Sequence, residues 1–284
     1  MSAPFAKGSK LDPRIKPPQW GPASAVQSAI FHNAERAGID PGSIDTYFPF
    51  WERAGEFKKT INFGNNSIQS IYNYANWVIG DGGAAAQVNP TDYPRALVYQ
   101  TEDFYPANLS EYTLIITTQI KSPSTYQTFF GASPSENIGT GASADSIRTR
   151  QDRDDITTSN VDLTKPTMYC LSNKNGRKVY IDGKFRNSGS SRGLSFNSIS
   201  PWALGARGYG TPTGLWYFYS YMLFTRALTD SQIAHIYEQP YALLYPVARP
   251  IFFDVGATPG PATPTNLQGT PSTDSILWTW EAGS

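Results

Sequence analysis

Apolar and polar positions alternate most cleanly over Tyr112–Ile120. Tyr112, Leu114, Ile116, Thr118 and Ile120 share one face there, with Thr113, Thr117 and Gln119 on the other. A period of two sends successive side chains to opposite sides of a pleated strand, so the segment predicts a β-strand. Asn175-Gly176 and Asp182-Gly183 are two-residue hairpin turns separating Thr167–Asn173, Lys178–Ile181 and Lys184–Asn187, which predicts a β-meander. Further strand-like stretches are Asp45–Phe48, Lys59–Phe63, Trp77–Ile79, Pro201–Gly205 and Leu215–Phe224, with two more between Asn266 and Trp280. Residues 132–160, rich in Ser, Gly and Asp, read as short strands joined by long loops.

Helical periodicity is best specified near the end. Ile233, Ile236 and Tyr237 form an apolar stripe, Thr229 and Gln232 have capping-box spacing, and Pro240 stops the helix. A second short helix is expected within residues 24–40, ending at Gly38.

Leu215–Phe224 departs from simple alternation. Strict period two puts Trp216, Phe218, Met222 and Phe224 on one side and Tyr217, Tyr219, Tyr221 and Leu223 on the other. A strand with one wet face should alternate apolar with polar, and this one is apolar on both. The outward face is therefore expected to be covered by the N-terminal arm, the C-terminal tail or another subunit. The competing expectation is an aromatic platform for stacking a sugar, and Trp216, Tyr217, Tyr219 and Tyr221 are glycan-contact candidates.

Composition supports an all-β reading. Hydrophobic residues make up 39% and aromatics 14%, with 24 Gly and 22 Pro to supply turns, while charged residues are only 16%. The 284-residue chain is long enough to bury a sizeable core without disulfides. Lys+Arg and Asp+Glu balance at 23 each, unlike the basic footprint of a nucleic-acid binder. The one cysteine, Cys170, sits in the apolar run Met168–Leu171 and reads as a buried, inert thiol compatible with a reducing cytoplasm. The first residues lack the apolar stretch of a signal peptide, and no window approaches the ~18 apolar residues of a membrane span. A soluble protein without membrane partners, released by lysis, is the expectation. Residues 1–23 form a Pro-rich basic arm. Its Lys7, Lys10, Arg14, Lys16 and Trp20 are candidate anchors to an assembly, the alternative being a disordered leader.

Catalytic chemistry is not indicated. A glycosidase needs two carboxylates about 5–9 Å apart; Glu52 and Glu56 lack same-face strand spacing, and Glu102 and Asp103 would point to opposite faces. His32 and His235 have no metal-type spacing, and Gly80-Asp81-Gly82-Gly83 lacks the strand–helix setting of a phosphate loop. Asp152, Asp154 and Asp155 are the candidate calcium ligands, with a solvated loop as the alternative. No other cofactor and no catalytic residue are expected.

Three blocks, in order, resemble the laminin-G/concanavalin-A-like jelly-roll family. They are Tyr112–Ile120; then Tyr169-Cys170-Leu171-Ser172 with Lys178–Lys184; then Ala203–Ala206, Phe224–Thr229 and the Gln232–Tyr237 helix. Together they cover roughly residues 45–240. The resemblance implies a two-sheet antiparallel jelly-roll sandwich, and ligand sites on its rim loops make Arg207 and Tyr209 glycan-contact candidates. Some family members bind calcium. Many carry an acidic pair where Tyr219 and Ser220 stand, and this chain departs from that pattern.

Residues 240–254 are similar to endings of laminin-G-like proteins from tailed phages, and residues 264–280 look like the opening of a fibronectin type III module. The expected division is an arm with a short helix over 1–44, the jelly roll over 45–240, an extended tail and linker over 241–265, and an incomplete fibronectin-like segment over 266–284. The combined expectation is a virion structural protein, a capsid decoration or fibre-like subunit. It would assemble in the host cytoplasm with itself and other virion proteins. The alternative is a free-standing lectin-like module that binds cell-surface glycans.

Overall fold

The period-two segments become strands of two antiparallel sheets. The computed structural model describes residues 23–50, 64–65, 76–89, 97–98, 109–133, 136–151, 154–194, 203–207, 211–238, 243, 265–271 and 276–281. The expected strand Lys59–Phe63 lies outside them. The chain divides into two compact units, residues 1–246 and 247–284.

In the first unit, helix α1 (Ala23–Arg36) precedes β1 (Ile44–Phe48), β2 (Asn76–Gly80), β3 (Gly83–Val88), β4 (Leu97–Val98) and β5 (Tyr112–Ile120). There follow β6 (Thr128–Ser133), β7 (Glu136–Thr140), β8 (Ile147–Gln151), β9 (Asp154–Thr158), β10 (Thr167–Asn173), β11 (Arg177–Ile181) and β12 (Lys184–Gly189). Four short or closing strands, β13 (Ala203–Leu204), β14 (Ala206–Arg207), β15 (Thr211–Pro212) and β16 (Trp216–Phe224), lead into α2 (Asp230–Glu238). The first sheet has eight strands in the order β12-β11-β10-β5-β16-β3-β2, with β1 also paired to β16; the second has the order β4-β13-β6-β7-β8-β9. The second unit shows one hairpin, β17 (Thr265–Pro271) against β18 (Ile276–Glu281).

The main core lies between the two sheets. Leu114, Ile116, Tyr169, Leu171, Val179 and Trp216 from the first meet Phe129, Phe130, Ile138, Ile147 and Ile156 from the second. Phe129 sets its edge against Tyr169 and Trp216, with ring centroids 5.5 and 5.4 Å apart. A second apolar layer lies on the opposite side of the first sheet. There Ile115, Met168, Cys170, Tyr180, Met222 and Phe224 are buried with Ile30 and Ala34 of α1, Ile233 and Ile236 of α2, and Leu243. Cys170 is the buried free thiol the sequence suggests, and burial pushes its pKa up.

That second layer explains the doubly apolar strand: the chain's own helices cover β16. The facing pattern differs from strict alternation, however. Phe218 pairs with Thr118 but Ser220 with Thr117, so a β-bulge at Tyr219 inserts one extra residue. The bulge turns Tyr221 and Leu223 to the inter-sheet core with Trp216 and Phe218. Met222 and Phe224 turn instead to the helices.

Both helices end by local rules. Gly38 has φ +69, and the Gly38 and Ile39 amides donate to Glu35 O and Ala34 O (2.9 and 2.8 Å), a Schellman closure of α1. At α2, Thr229 N donates to Gln232 Oε1 (2.9 Å) and Gln232 N to Thr229 Oγ1 (3.3 Å), the reciprocal capping box read from the sequence. Gln232 also donates through Nε2 to Gly38 O (2.5 Å), tying the two helices together.

Candidate functional site

The aromatic strand does not form a sugar platform. Trp216, Tyr219 and Tyr221 are all buried. Tyr219 donates its hydroxyl to Gln119 Oε1 (2.6 Å) and accepts from Gly82 N (3.3 Å). Tyr217 is half-buried, with Lys121 Nζ 5.0 Å from its ring centroid. Lys121 in turn pairs with Asp81 (3.1 Å). The expectation of a stacking surface here fails for a packing reason: the strand lies between two apolar layers. Arg207 pairs through its backbone with Thr211 in the small β14–β15 ladder. The Arg207 side chain and the whole of Tyr209 lie outside the described residues, as do Asp152 and the anchor candidates Lys7, Lys10, Arg14, Lys16 and Trp20.

Asp154 and Asp155 reach apart rather than together. Asp154 accepts from Arg177 Nη2 (2.5 Å) and from the Ser190 hydroxyl, with Arg192 Nε 3.9 Å away. The Ser190 hydrogen bond, then the charges of Arg177 and Arg192, hold its carboxyl below the usual carboxylate value. Asp155 accepts from Arg148 through Nε (2.9 Å) and Nη2. Guanidinium groups thus pair with both carboxylates, and among the described residues no group of three or more metal-type side chains converges. The calcium expectation is corrected on that ground for Asp154 and Asp155.

A different surface, one not singled out in the sequence, combines an exposed ring with polar groups. Along β8, Ile147, Thr149 and Gln151 are buried while Arg148 and Arg150 are half-exposed, so both arginines project away from the core. The ladder sets Asn137, Arg150 and Asp155 in one cross-strand row and Gly139, Arg148 and Thr157 in the next. Above Gly139 runs the Tyr126–Gln127 backbone. A Cβ at Gly139 would lie 2.1 Å from Gln127 O, so only glycine admits that crossing.

The crossing segment is held firmly. Gln127 N donates to Thr140 Oγ1 (2.8 Å), Thr140 Oγ1 donates to Ser124 O (2.7 Å), and Tyr126 N donates to Gly141 O (3.1 Å). Tyr126 itself has φ +56 and leaves 61% of its surface exposed. A bulky residue in the left-handed region is uncommon and is held there by its surroundings. Beneath it is a hollow of about 50 Å³ lined in part by Tyr126, Asn137, Gly139, Arg148 and Arg150.

A larger groove, about 960 Å³, lies where β10, β11 and β12 meet the start of α2. Ser172, Ser188, Thr229 and Ser231 bring hydroxyls to it. Its charges are paired, Lys178 with Asp230 (3.5 Å) and Lys174 with Glu111 (3.6 Å). Its aromatic residue, Tyr180, is buried and donates to Asp230 Oδ1 (2.7 Å). The groove therefore presents no open ring.

No known family profile and no curated protein sequence matches the chain. Solved structures do. Domain 4 of AbnA, a GH43 extracellular arabinanase from Geobacillus stearothermophilus, in complex with arabinotriose, aligns with TM-score 0.50 at 16% identity over 68% of this chain and 98% of that one. A Trypanosoma rangeli sialidase in complex with the inhibitor DANA aligns with TM-score 0.57 at 15% identity over 78% of this chain. The binding domain of Paraclostridial Mosquitocidal Protein 1 gives 0.54 at 12% over 71%. The alignments span 38% of the sialidase chain and 53% of the mosquitocidal domain. At these identities the likeness is one of fold, and the shared fold is a β-sandwich.

Proposed function

We propose that this chain carries a carbohydrate-binding β-sandwich module that contacts sugar on the outer face of its second sheet. The observation that carries the reading is Tyr126, an exposed ring on a hydrogen-bonded segment beside Arg148, Arg150 and Asn137. A sugar ring offers an apolar C–H face to an aromatic and hydroxyls to planar polar groups, so binding sites of this kind combine one ring with a few convergent donors. The structural neighbours support it: one is a domain in complex with arabinotriose and another is a sialidase. Binding without bond cleavage is the form we propose, because Asp155, the described carboxylate on this face, is held by arginine rather than poised as an acid or base.

Display on a phage particle is the setting the sequence suggests. The face expected to be covered by the N-terminal arm, the C-terminal tail or another subunit is covered within the chain, by α1, α2 and Leu243, so it gives this setting no support. What supports it is the resemblance of residues 240–254, of which Leu243 is described, packed beneath α1 and α2 residues. Mass spectrometry of gradient-purified particles tests that setting, and recovery only in the soluble fraction would contradict it. A glycan array probed with the intact chain tests the binding activity. Retention on a defined set of oligosaccharides is expected, and an array without signal would contradict the proposal.

A further inference from the structure

We infer that the hollow beneath Tyr126 receives a carboxylate, so that the module selects acidic sugars over their neutral counterparts; this rests on the glycan-binding reading above. The two arginines that line the hollow are not equivalent. Arg148 is engaged by Asp155 through Nε and Nη2. Arg150 approaches the same carboxylate only at 3.9 Å. Its Nε is sealed from solvent and has no hydrogen-bond acceptor among the described residues. With 31% of its side chain exposed beside the hollow, Arg150 keeps its charge open to a ligand, and a cation draws an anionic oxygen more strongly than a neutral one. Among the described residues at the hollow, one carboxylate, Asp155, is shared by the two guanidinium groups of Arg148 and Arg150.

Size points the same way. About 50 Å³ is room for a group of a few heavy atoms, given that one water occupies roughly 30 Å³ in the liquid, and it is too small for a pyranose ring. A carboxylate fits, and the guanidinium fork matches its two oxygens. The ring that carries the carboxylate would then lie outside the hollow, against Tyr126. Asn137 stands directly opposite Arg150 in the ladder and also lines the hollow. Gly139, where a Cβ would meet the Gln127 carbonyl oxygen at 2.1 Å, lets the Tyr126–Gln127 backbone lie against the hollow.

The test is calorimetry on the full chain with two matched pairs: oligogalacturonate against its methyl ester, and 3′-sialyllactose against lactose. The acid of at least one pair should bind about tenfold or more tightly than its neutral partner, as expected for a charge-assisted bidentate contact. Arg150→Gln should abolish that preference. Arg150→Lys, which keeps the charge without the fork, should retain only part of it. Equal affinity for acid and neutral partners, or a preference that Arg150→Gln leaves intact, would overturn the acidic subsite while glycan binding stands. A chain that binds neither pair and no arabino-oligosaccharide would overturn the glycan reading itself.

Discussion

Arg177 is wholly buried where β11 approaches β9, and four acceptors surround its guanidinium. Nη2 donates to Asp154 Oδ2 (2.5 Å), Nε to Ser190 O (2.9 Å), and Nη1 to Gln151 Oε1 and Asp154 O (3.2 and 3.3 Å). Gln151 passes the network on to the Tyr112 hydroxyl through its amide (2.9 Å). Taking a guanidinium out of water is tolerable only when such partners are complete, and removing one member of a buried pair is severe. Arg177→Ala, which removes the donors to these four acceptors and leaves a cavity, should therefore lower the urea midpoint of unfolding. Arg177→Met with Asp154→Asn, which leaves no uncompensated charge, should recover most of that.

The same pair fixes an acid dependence. The folded pKa of Asp154 lies below its ordinary 3.8, so its stabilisation is complete above that value and is lost as pH falls through the folded pKa. Melting temperature followed from pH 5 downward should drop less steeply in Asp154→Asn than in the parent chain. None of this pairing was legible from the run Asp152-Arg153-Asp154-Asp155, because the partners arrive from β8, β11 and the segment after β12. Local acidity suggested a cation; the fold brought arginines.

Among the elements, those whose signal is local were readable. The hairpin turns at Asn175-Gly176 and Asp182-Gly183, the strand Tyr112–Ile120 and the capping box of α2 all stand where the sequence places them. What could not be read was the bulge at Tyr219, which depends on Gly80 and Gly82 making room. A Cβ at Gly80 would fall 2.3 Å from the Tyr219 hydroxyl, and one at Gly82 2.9 Å from its ring. Gly80→Ala should cost about 1–3 kcal/mol by overpacking, and Tyr219→Phe, which removes the nearest atom, should lessen that cost in a double-mutant cycle.

The covering layer is testable in the same way. Ile233→Ala should destabilise by about 2–4 kcal/mol, since Ile233 is fully buried under the sheet's outer face. Thr229→Ala should cost about 1 kcal/mol by removing the cap. The candidate site was not singled out in the sequence, although one part of its signal is local. Ile147–Gln151 alternates, which puts Arg148 and Arg150 on one face, but the sequence does not show Asn137 across from Arg150 or Tyr126 above Gly139. Those placements come from ladder register and a loop crossing, both non-local.

At the scale of the molecule, the first unit reads as helices over a sheet, then the sandwich core, then a second sheet whose outer side carries polar residues. That layering makes the two faces unlike. The first sheet's outer side includes a helix-covered apolar layer, while the second sheet presents Tyr126, Asn137, Arg148 and Arg150 around a small hollow. A rigid ring beside convergent polar groups suits a weak, selective sugar contact, because little conformational freedom remains to be lost on binding. The measurement that tests this most directly is a calorimetric titration of an array-identified glycan into the intact chain and into Tyr126→Ala, side by side. Loss of a ring contact should weaken binding roughly five- to tenfold with the melting temperature unchanged. Unaltered affinity in Tyr126→Ala would contradict a sugar site on the second sheet.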